Sequence, residues 1–109
     1  MRFFLISLLL LVSFLSDAQL IQKDSMDCSI SIQDGTLSGT LFTPRGITKP
    51  SVVLIIAGSG PTDRNGNSTM IKGKNNSLLQ LADSLANYGI ASLRYDKKGV
   101  GKSQVRGLK

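Results

Sequence analysis

Residues 51–61 read SVVLIIAGSGP, and the fold turns on how this stretch is read. Ser51 to Ala57 is a continuous apolar run rich in β-branched side chains, too short for an ordinary helix. Such a run suits a strand buried on both faces, as in a parallel sheet covered by helices. It breaks at Gly58-Ser59-Gly60-Pro61 into a polar segment rich in Gly, Asn, Ser and Thr that extends to about residue 76. Connections of that length are uncommon in compact domains and are usually functional or disordered.

Downstream, Leu78, Leu81, Ala82 and Leu85 follow the i, i+3, i+4, i+7 spacing of an amphipathic helix. Asn76 or Ser77 can cap its start, and Gly89 stands where a helix takes a left-handed residue just past its end. A helix is therefore expected at 77–88, followed by a strand at 90–95 (IASLRY) that runs into Asp96 and a Gly-rich turn. Upstream, Cys28, Ile30 and Ile32 alternate with serines, and Leu37, Gly39 and Leu41 alternate with Thr36, Ser38 and Thr40. Asp34-Gly35 joins the two runs. That dipeptide is the strongest short-range hairpin signal, because a type I′ turn needs φ > 0 at both central residues. The hairpin should occupy 27–43, with Pro44 ending its second strand by removing a ladder donor. The expected class is α/β: a β-hairpin, then a β-α-β unit of a mostly parallel sheet, a partial domain over residues 19–109.

The amino terminus has a different grammar. Met1-Arg2 is a short basic start, Phe3 to Leu15 is apolar apart from Ser7 and Ser13, and small residues stand at the −3 and −1 positions of a cut after Ala18. This is the pattern of a cleavable secretory signal over residues 1–18. The apolar run of about 13 residues is shorter than the roughly 20 a spanning helix needs. The rest should be exported to the periplasm or the extracellular space, with no stable membrane span after cleavage. Arg2 and Asp17 leave together, so the net charge stays at +6. The densest basic group is Arg94, Lys97, Lys98 and Lys102, with no aromatic side chains interleaved to stack on bases. A solvated basic surface is expected rather than a nucleic-acid partner. Cys28 is the only cysteine, so no intrachain disulfide forms, and the chain has no histidine. A Ser-His-Asp triad and a histidine metal site are therefore excluded within these residues, and neither a metal nor a cofactor is expected.

Three glycine-rich readings compete. Gly99-Val-Gly-Lys-Ser103 ends like a phosphate-binding P-loop, but that motif needs a glycine where Asp96 stands and a helix straight after its serine. Gly58-Ser-Gly60 begins a dinucleotide fingerprint, but the sixth position is Asp63 and the helix starts more than a dozen residues on. The third reading makes residues 58–61 an oxyanion loop. A glycine turn leaving a strand can keep backbone N–H groups free to meet a carbonyl oxygen that becomes negative. A plain strand-ending turn fits the local residues equally well.

AGSGPTDRNGN (57–67) and LLQLADSLANYGIASLRYDKKGVGKS (78–103) resemble secreted bacterial α/β-hydrolases of the serine aminopeptidase and acylglycerol lipase-like branch, over roughly residues 36–104. The resemblance implies the amino-terminal part of an α/β-hydrolase fold, incomplete here. It also implies cleavage of a small-molecule ester or amide through a serine acyl-enzyme. By that alignment Ser59 and Gly60 are backbone oxyanion donors, while Asp63 and Arg64 are candidate substrate contacts or partners of each other across the loop. Family members usually read Asp-x-Arg-Gly-x-Gly-x-Ser at the second segment, where this chain has Asp96-Lys97-Lys98-Gly99-Val100-Gly101-Lys102-Ser103. They then continue into G-x-S-x-G, an acid and a histidine, none of which this chain contains. Asp96 precedes any such serine and is expected to be a turn residue accepting backbone hydrogen bonds rather than a triad acid.

The chain is accordingly expected to be a fragment of a secreted serine hydrolase, inactive alone. Two alternatives belong to other classes: a small exported binding or structural protein without catalysis, and a nucleotide-binding module built on residues 99–103.

Overall fold

The structure is a computed structural model that describes residues 21–107; the expected leader at 1–18 lies outside the described residues. Two long strands come first, β1 (Lys23–Ile32) and β2 (Gly35–Pro44), then β3 (Val52–Ile55). Helix α1 (Ser77–Asn87), β4 (Ala91–Tyr95) and a two-residue β5 (Gln104–Val105) follow. The sheet order is β1-β2-β4-β3, with β5 pairing β2. β3 and β4 run parallel, whereas β1/β2, β2/β4 and β2/β5 are antiparallel. The sheet is thus mixed. The expected mostly parallel sheet is corrected, because β2 itself pairs with β4 and couples the hairpin directly to the β-α-β unit.

The hairpin turn differs from its sequence reading. Ile32 pairs with Gly35, so Gln33 and Asp34 form the two-residue loop. Neither Asp34 nor Gly35 has positive φ, so the turn is not type I′. Gly35 is needed for another reason: a Cβ there would lie 1.9 Å from the Gln104 carbonyl oxygen of β5. Pairing moved by one residue on each strand keeps every side chain on its expected face, since only an odd slip would exchange the faces. Cys28 faces Gly39 and Tyr95, and Met26 faces Leu41 and Leu93.

Helix α1 packs on β2 and β4 through Ala82 and Ala86, both fully buried. Leu81, expected on the inner stripe, is 45% exposed, because the two alanines bring the helix axis close and turn their own edge inward. The expected side-chain cap is replaced by backbone. Asn76 is left-handed (φ 52) and makes no side-chain cap bond; the N–H groups of Leu78 and Leu79 donate instead to the Asn65 carbonyl at 3.0 and 3.4 Å. At the other end Gly89 (φ 76) closes a Schellman motif, with Ile90 N–H on the Leu85 carbonyl and Gly89 N–H on that of Ala86, each at 3.0 Å.

β3 departs most from expectation. Val52 and Leu54 are more than half exposed and Ile56 is 61% exposed, while only Ile55 and Ala57 of this run are buried. The run was expected to be buried on both faces, but β3 is the edge of the described sheet and pairs with β4 alone. The sheet face carrying Met26, Cys28 and Ile30 is likewise open. No described helix is long and apolar enough to cross a membrane.

An apolar, uncharged edge strand is a template for pairing with another chain. Light scattering of the purified chain should rise with concentration, and Leu54→Lys should suppress that rise while leaving the far-ultraviolet dichroism unchanged. Equal scattering by the two proteins would show that β3 is not the sticky element. Inside the fold, Ala86→Leu should overpack the helix–sheet contact and lower stability by about 1–3 kcal/mol in a urea melt.

Candidate functional site

The polypeptide leaves β3 at its carboxyl end, and the next residues fold back over the sheet. Asp63 organises them: its Oδ1 accepts the N–H groups of Asn65 (2.8 Å) and Asn67 (3.0 Å), and its own N–H donates to the Asn67 carbonyl at 2.9 Å. Gly66 has φ 90, and a Cβ there would sit 2.4 Å from Ser77 Oγ, so the loop presses directly on the start of α1. Asn67 and Asn76 lock the far end, with Asn67 Nδ2 on Asn76 Oδ1 at 2.7 Å and Asn76 N–H on Asn67 Oδ1 at 3.0 Å. A polar segment of this length is therefore ordered through its own Asx-type bonds.

Arg64 points inward and is 8% exposed. Its Nε and Nη2 donate to Asp96 Oδ2 at 3.1 and 2.9 Å, and its backbone N–H donates to Asp96 Oδ1 at 2.7 Å. The remaining donors reach Thr40 Oγ1 (2.7 Å) and Ser38 Oγ (2.6 Å) on β2, and Asp27 Oδ1 lies 3.6 Å from Nη1. The resemblance offers Asp63 and Arg64 as substrate contacts or as partners of each other across the loop. In the fold Asp63 closes the loop's own turn and Arg64 is a buried cross-link between loop, hairpin and the turn after β4.

Asp96 accepts a further bond from the Lys102 N–H at 2.9 Å, and its carbonyl accepts Ser103 Oγ at 2.6 Å. Ser103 Oγ in turn accepts the Ser38 N–H at 2.9 Å. Burial is the largest influence on the Asp96 carboxyl and pushes its pKa up. The Arg64 side-chain bond, the two backbone N–H bonds and the Arg64 charge together outweigh it and hold the group below its ordinary value. The same arrangement bears on the nucleotide reading of residues 99–103. A Cβ on Gly101 would lie 2.5 Å from Asp96 Oδ2, so the concavity of this turn is filled by the protein's own carboxylate. A short strand, not a helix, follows Ser103.

The basic group seen in the sequence does not form one surface. Arg94 is 3% exposed, and its Nη1 donates to Asn65 Oδ1 at 2.6 Å. Burial and the nearby positive charge of Arg64 push the Arg94 pKa down, against the pull of Asp63 and Asp96. Its Nε, like Ser92 Oγ, has no partner among the described residues. Lys98 pairs with Asp34 at the surface, and Lys97 reaches the glycine loop.

Ser59 and Gly60 lie exposed at the mouth of this assembly. Among the described residues neither backbone N–H donates a hydrogen bond, whereas the carbonyls of Gly58, Ser59 and Gly60 are all accepting one. Gly60 has φ 76, and a Cβ built at Gly58 or Gly60 would meet nothing within 4 Å. Two unpaired donors in an exposed loop beside the end of a strand suit a ligand oxygen bearing negative charge. Among the described residues no three potential metal ligands of the His, Cys, Asp or Glu type come together. Sequence reasoning missed Ser38, Thr40, Arg94 and Lys97, whose partners lie 24 to 39 residues away. The matched polarity of Thr40 and Arg94 on one face was the available signal.

Removing one member of a buried ion pair strands the other, so Arg64→Ala should cost about 3–5 kcal/mol in a urea melt. The sign of the pH dependence follows from the lowered Asp96 pKa. Its contribution is complete above the ordinary carboxyl value of 3.8 and is lost as pH falls through the lower value in the fold. Stability should drop steeply below pH about 4, and Asp96→Asn should flatten that part of the titration; an unchanged slope would assign the acid sensitivity elsewhere. No family model matches the chain, and no curated protein matches it. Among solved structures it is similar to a cold-adapted esterase from an Arctic intertidal metagenomic library, solved as a PEG-bound complex, with a TM-score of 0.56 and 21% identity. The match covers 86% of this chain and 36% of the esterase, so a mixed sheet with one helix shares its fold with part of an esterase.

Proposed function

We propose that this chain is the amino-terminal part of an exported serine hydrolase that cleaves a carboxylic ester or amide through an acyl-enzyme, with residues 58–61 forming half of its oxyanion hole. The fold likeness to part of an esterase supports the α/β-hydrolase assignment. The observation that carries the reading is the pair of free N–H groups at Ser59 and Gly60, exposed where the chain leaves the carboxyl end of a strand in a parallel pair. Ligands of open α/β sheets bind at that end.

Attack on an ester or amide carbonyl turns its oxygen into an anion. Fixed N–H donors stabilise that anion without reorganising, which is why one donor of such a hole is worth about 10²–10³ in rate. The other half of an α/β-hydrolase oxyanion hole comes from the residue after the nucleophile, on the G-x-S-x-G elbow. Neither that elbow nor a histidine is in this sequence, so these residues supply positioning and charge stabilisation but no nucleophile and no general base. Arg64 and Asp96 act on this reading as the frame that holds the loop to the sheet, and the signal at 1–18 directs export.

The purified chain should therefore release no nitrophenol from p-nitrophenyl acetate above the buffer rate. Reading the locus past the codon for Lys109 should reveal an open frame with G-x-S-x-G, then an acid and a histidine. In that longer protein Ser59→Pro, which deletes one N–H, should lower kcat by about 10²–10³ with KM little changed. A stop codon at that point, in a chain that cells export and keep, would turn the assignment to a small exported binding or structural protein.

A further inference from the structure

Lys97 follows the buried Asp96 but takes no part in its network. Its Nζ donates to the carbonyl oxygens of Gly58 and Gly60, the latter at 2.6 Å, across 39 and 37 residues of sequence. Both partners are neutral carbonyls of the loop read above as the oxyanion donor. This inference rests on that reading and concerns what holds the loop in its working orientation.

A peptide unit is planar and trans, so its C=O and N–H point in opposite directions. Drawing the Gly58 carbonyl onto the ammonium therefore turns the Ser59 N–H, in the same peptide, away from Lys97. The Ser59 carbonyl is taken by Thr62 Oγ1 at 3.2 Å, which orients the Gly60 N–H in the same manner. The Gly60 carbonyl accepts both Lys97 and the Thr62 N–H at 2.9 Å, and its peptide contributes no donor because Pro61 follows. Packing supplies nothing comparable. Gly58 and Gly60 have no side chains, a Cβ at either would meet open space, and Gly60 sits at φ 76, where several backbone arrangements are open to glycine. An ammonium on a carbonyl also polarises the amide and strengthens the N–H opposite as a donor.

We infer that Lys97 is a positioning residue, a cationic clamp that gathers the Gly58 and Gly60 carbonyls on one side of the loop so that the Ser59 N–H faces the opposite side as an oxyanion donor. Lys98, beside it, cannot substitute, since it is exposed and paired with Asp34 at 3.2 Å. Arginine at position 97 carries enough donors to reach two carbonyls, whereas methionine keeps the stem and loses the charge.

The test compares wild type, Lys97→Met and Lys97→Arg in the full chain by ¹⁵N–¹H correlation spectra and heteronuclear NOE. In Lys97→Met the Ser59 and Gly60 cross-peaks should move and their ¹⁵N–¹H heteronuclear NOE values should fall, because the peptides that carry these N–H groups lose the ammonium that fixes their carbonyls. The amides of Arg64 and Leu78 should stay in place, the melting temperature should hold, and Lys97→Arg should restore the Ser59 and Gly60 signals. Unmoved Ser59 and Gly60 peaks, or peaks that move together with Arg64 and Leu78, would overturn the clamp. In a longer protein with esterase activity, Lys97→Met should lower kcat with KM held and Lys97→Arg should recover it. Moved peaks with an unchanged kcat would leave the clamp standing and sink the reading of residues 58–61 as oxyanion donors.

Discussion

The buried contact between Arg64 and Asp96 is the constraint on which the other parts of this structure depend. It joins a loop, a hairpin and a turn that are far apart in sequence, and it does so with several bonds in fixed directions. Burying two charges is expensive, and their mutual attraction offsets that cost only when the remaining donors and acceptors are also satisfied. Here Ser38, Thr40 and the Lys102 N–H take up most of them. An arrangement of this kind adds less to net stability than an apolar core of equal volume would. Its effect is on uniqueness: Arg64 fits one position of the loop, and that position places Asn65 over the start of α1 and Gly58 to Pro61 at the rim of the sheet.

The distribution of polarity follows from the same contact. Among the described residues the buried aliphatic side chains are Ala82, Ala86, Ala91, Ile55 and Ala57, while Thr40, Arg64, Ser92, Arg94, Asp96 and Ser103 are also buried. Polar side chains occupy the sheet face beneath the loop, whereas Met26, Cys28 and Ile30 of β1 and Val52 and Leu54 of β3 lie open. Glycine and alanine make the close approaches possible. Gly35 admits β5, Gly66 admits α1 and Gly101 admits the Asp96 carboxylate. Each close approach brings a backbone group or a charge near its partner, and little apolar area is buried in exchange.

These features bear on chemistry through preorganisation. Donors aimed at a developing charge are useful when they need not move as that charge forms. Arg64 anchors the loop from beneath, and Lys97 and Thr62 occupy its carbonyls from one side. The unpaired N–H groups of Ser59 and Gly60 are what remains. On the proposed oxyanion reading, occupied carbonyls and unpaired N–H groups are the two properties the loop requires.

Much of this was legible in the chain itself. The paired alternations at 27–43, the β-branched run at 51–57 and the helix ending at Gly89 carry local signals, because strand and helix periodicity and left-handed glycine depend on neighbours a few residues away. Residues 58–61 stand out for the same reason. The turn at Gln33-Asp34, the exposure of Val52 and Leu54, the Asn65 carbonyl at the helix start and the inward turn of Arg64 were not legible. Asp63 and Arg64 are adjacent and of opposite charge, so the sequence offers them to each other. Only the tertiary structure decides that Asp63 closes its own turn while Arg64 reaches Asp96, 32 residues on. A buried charge takes the partner that completes its hydrogen bonds out of water, and that partner is chosen by how the strands pair, not by proximity along the chain.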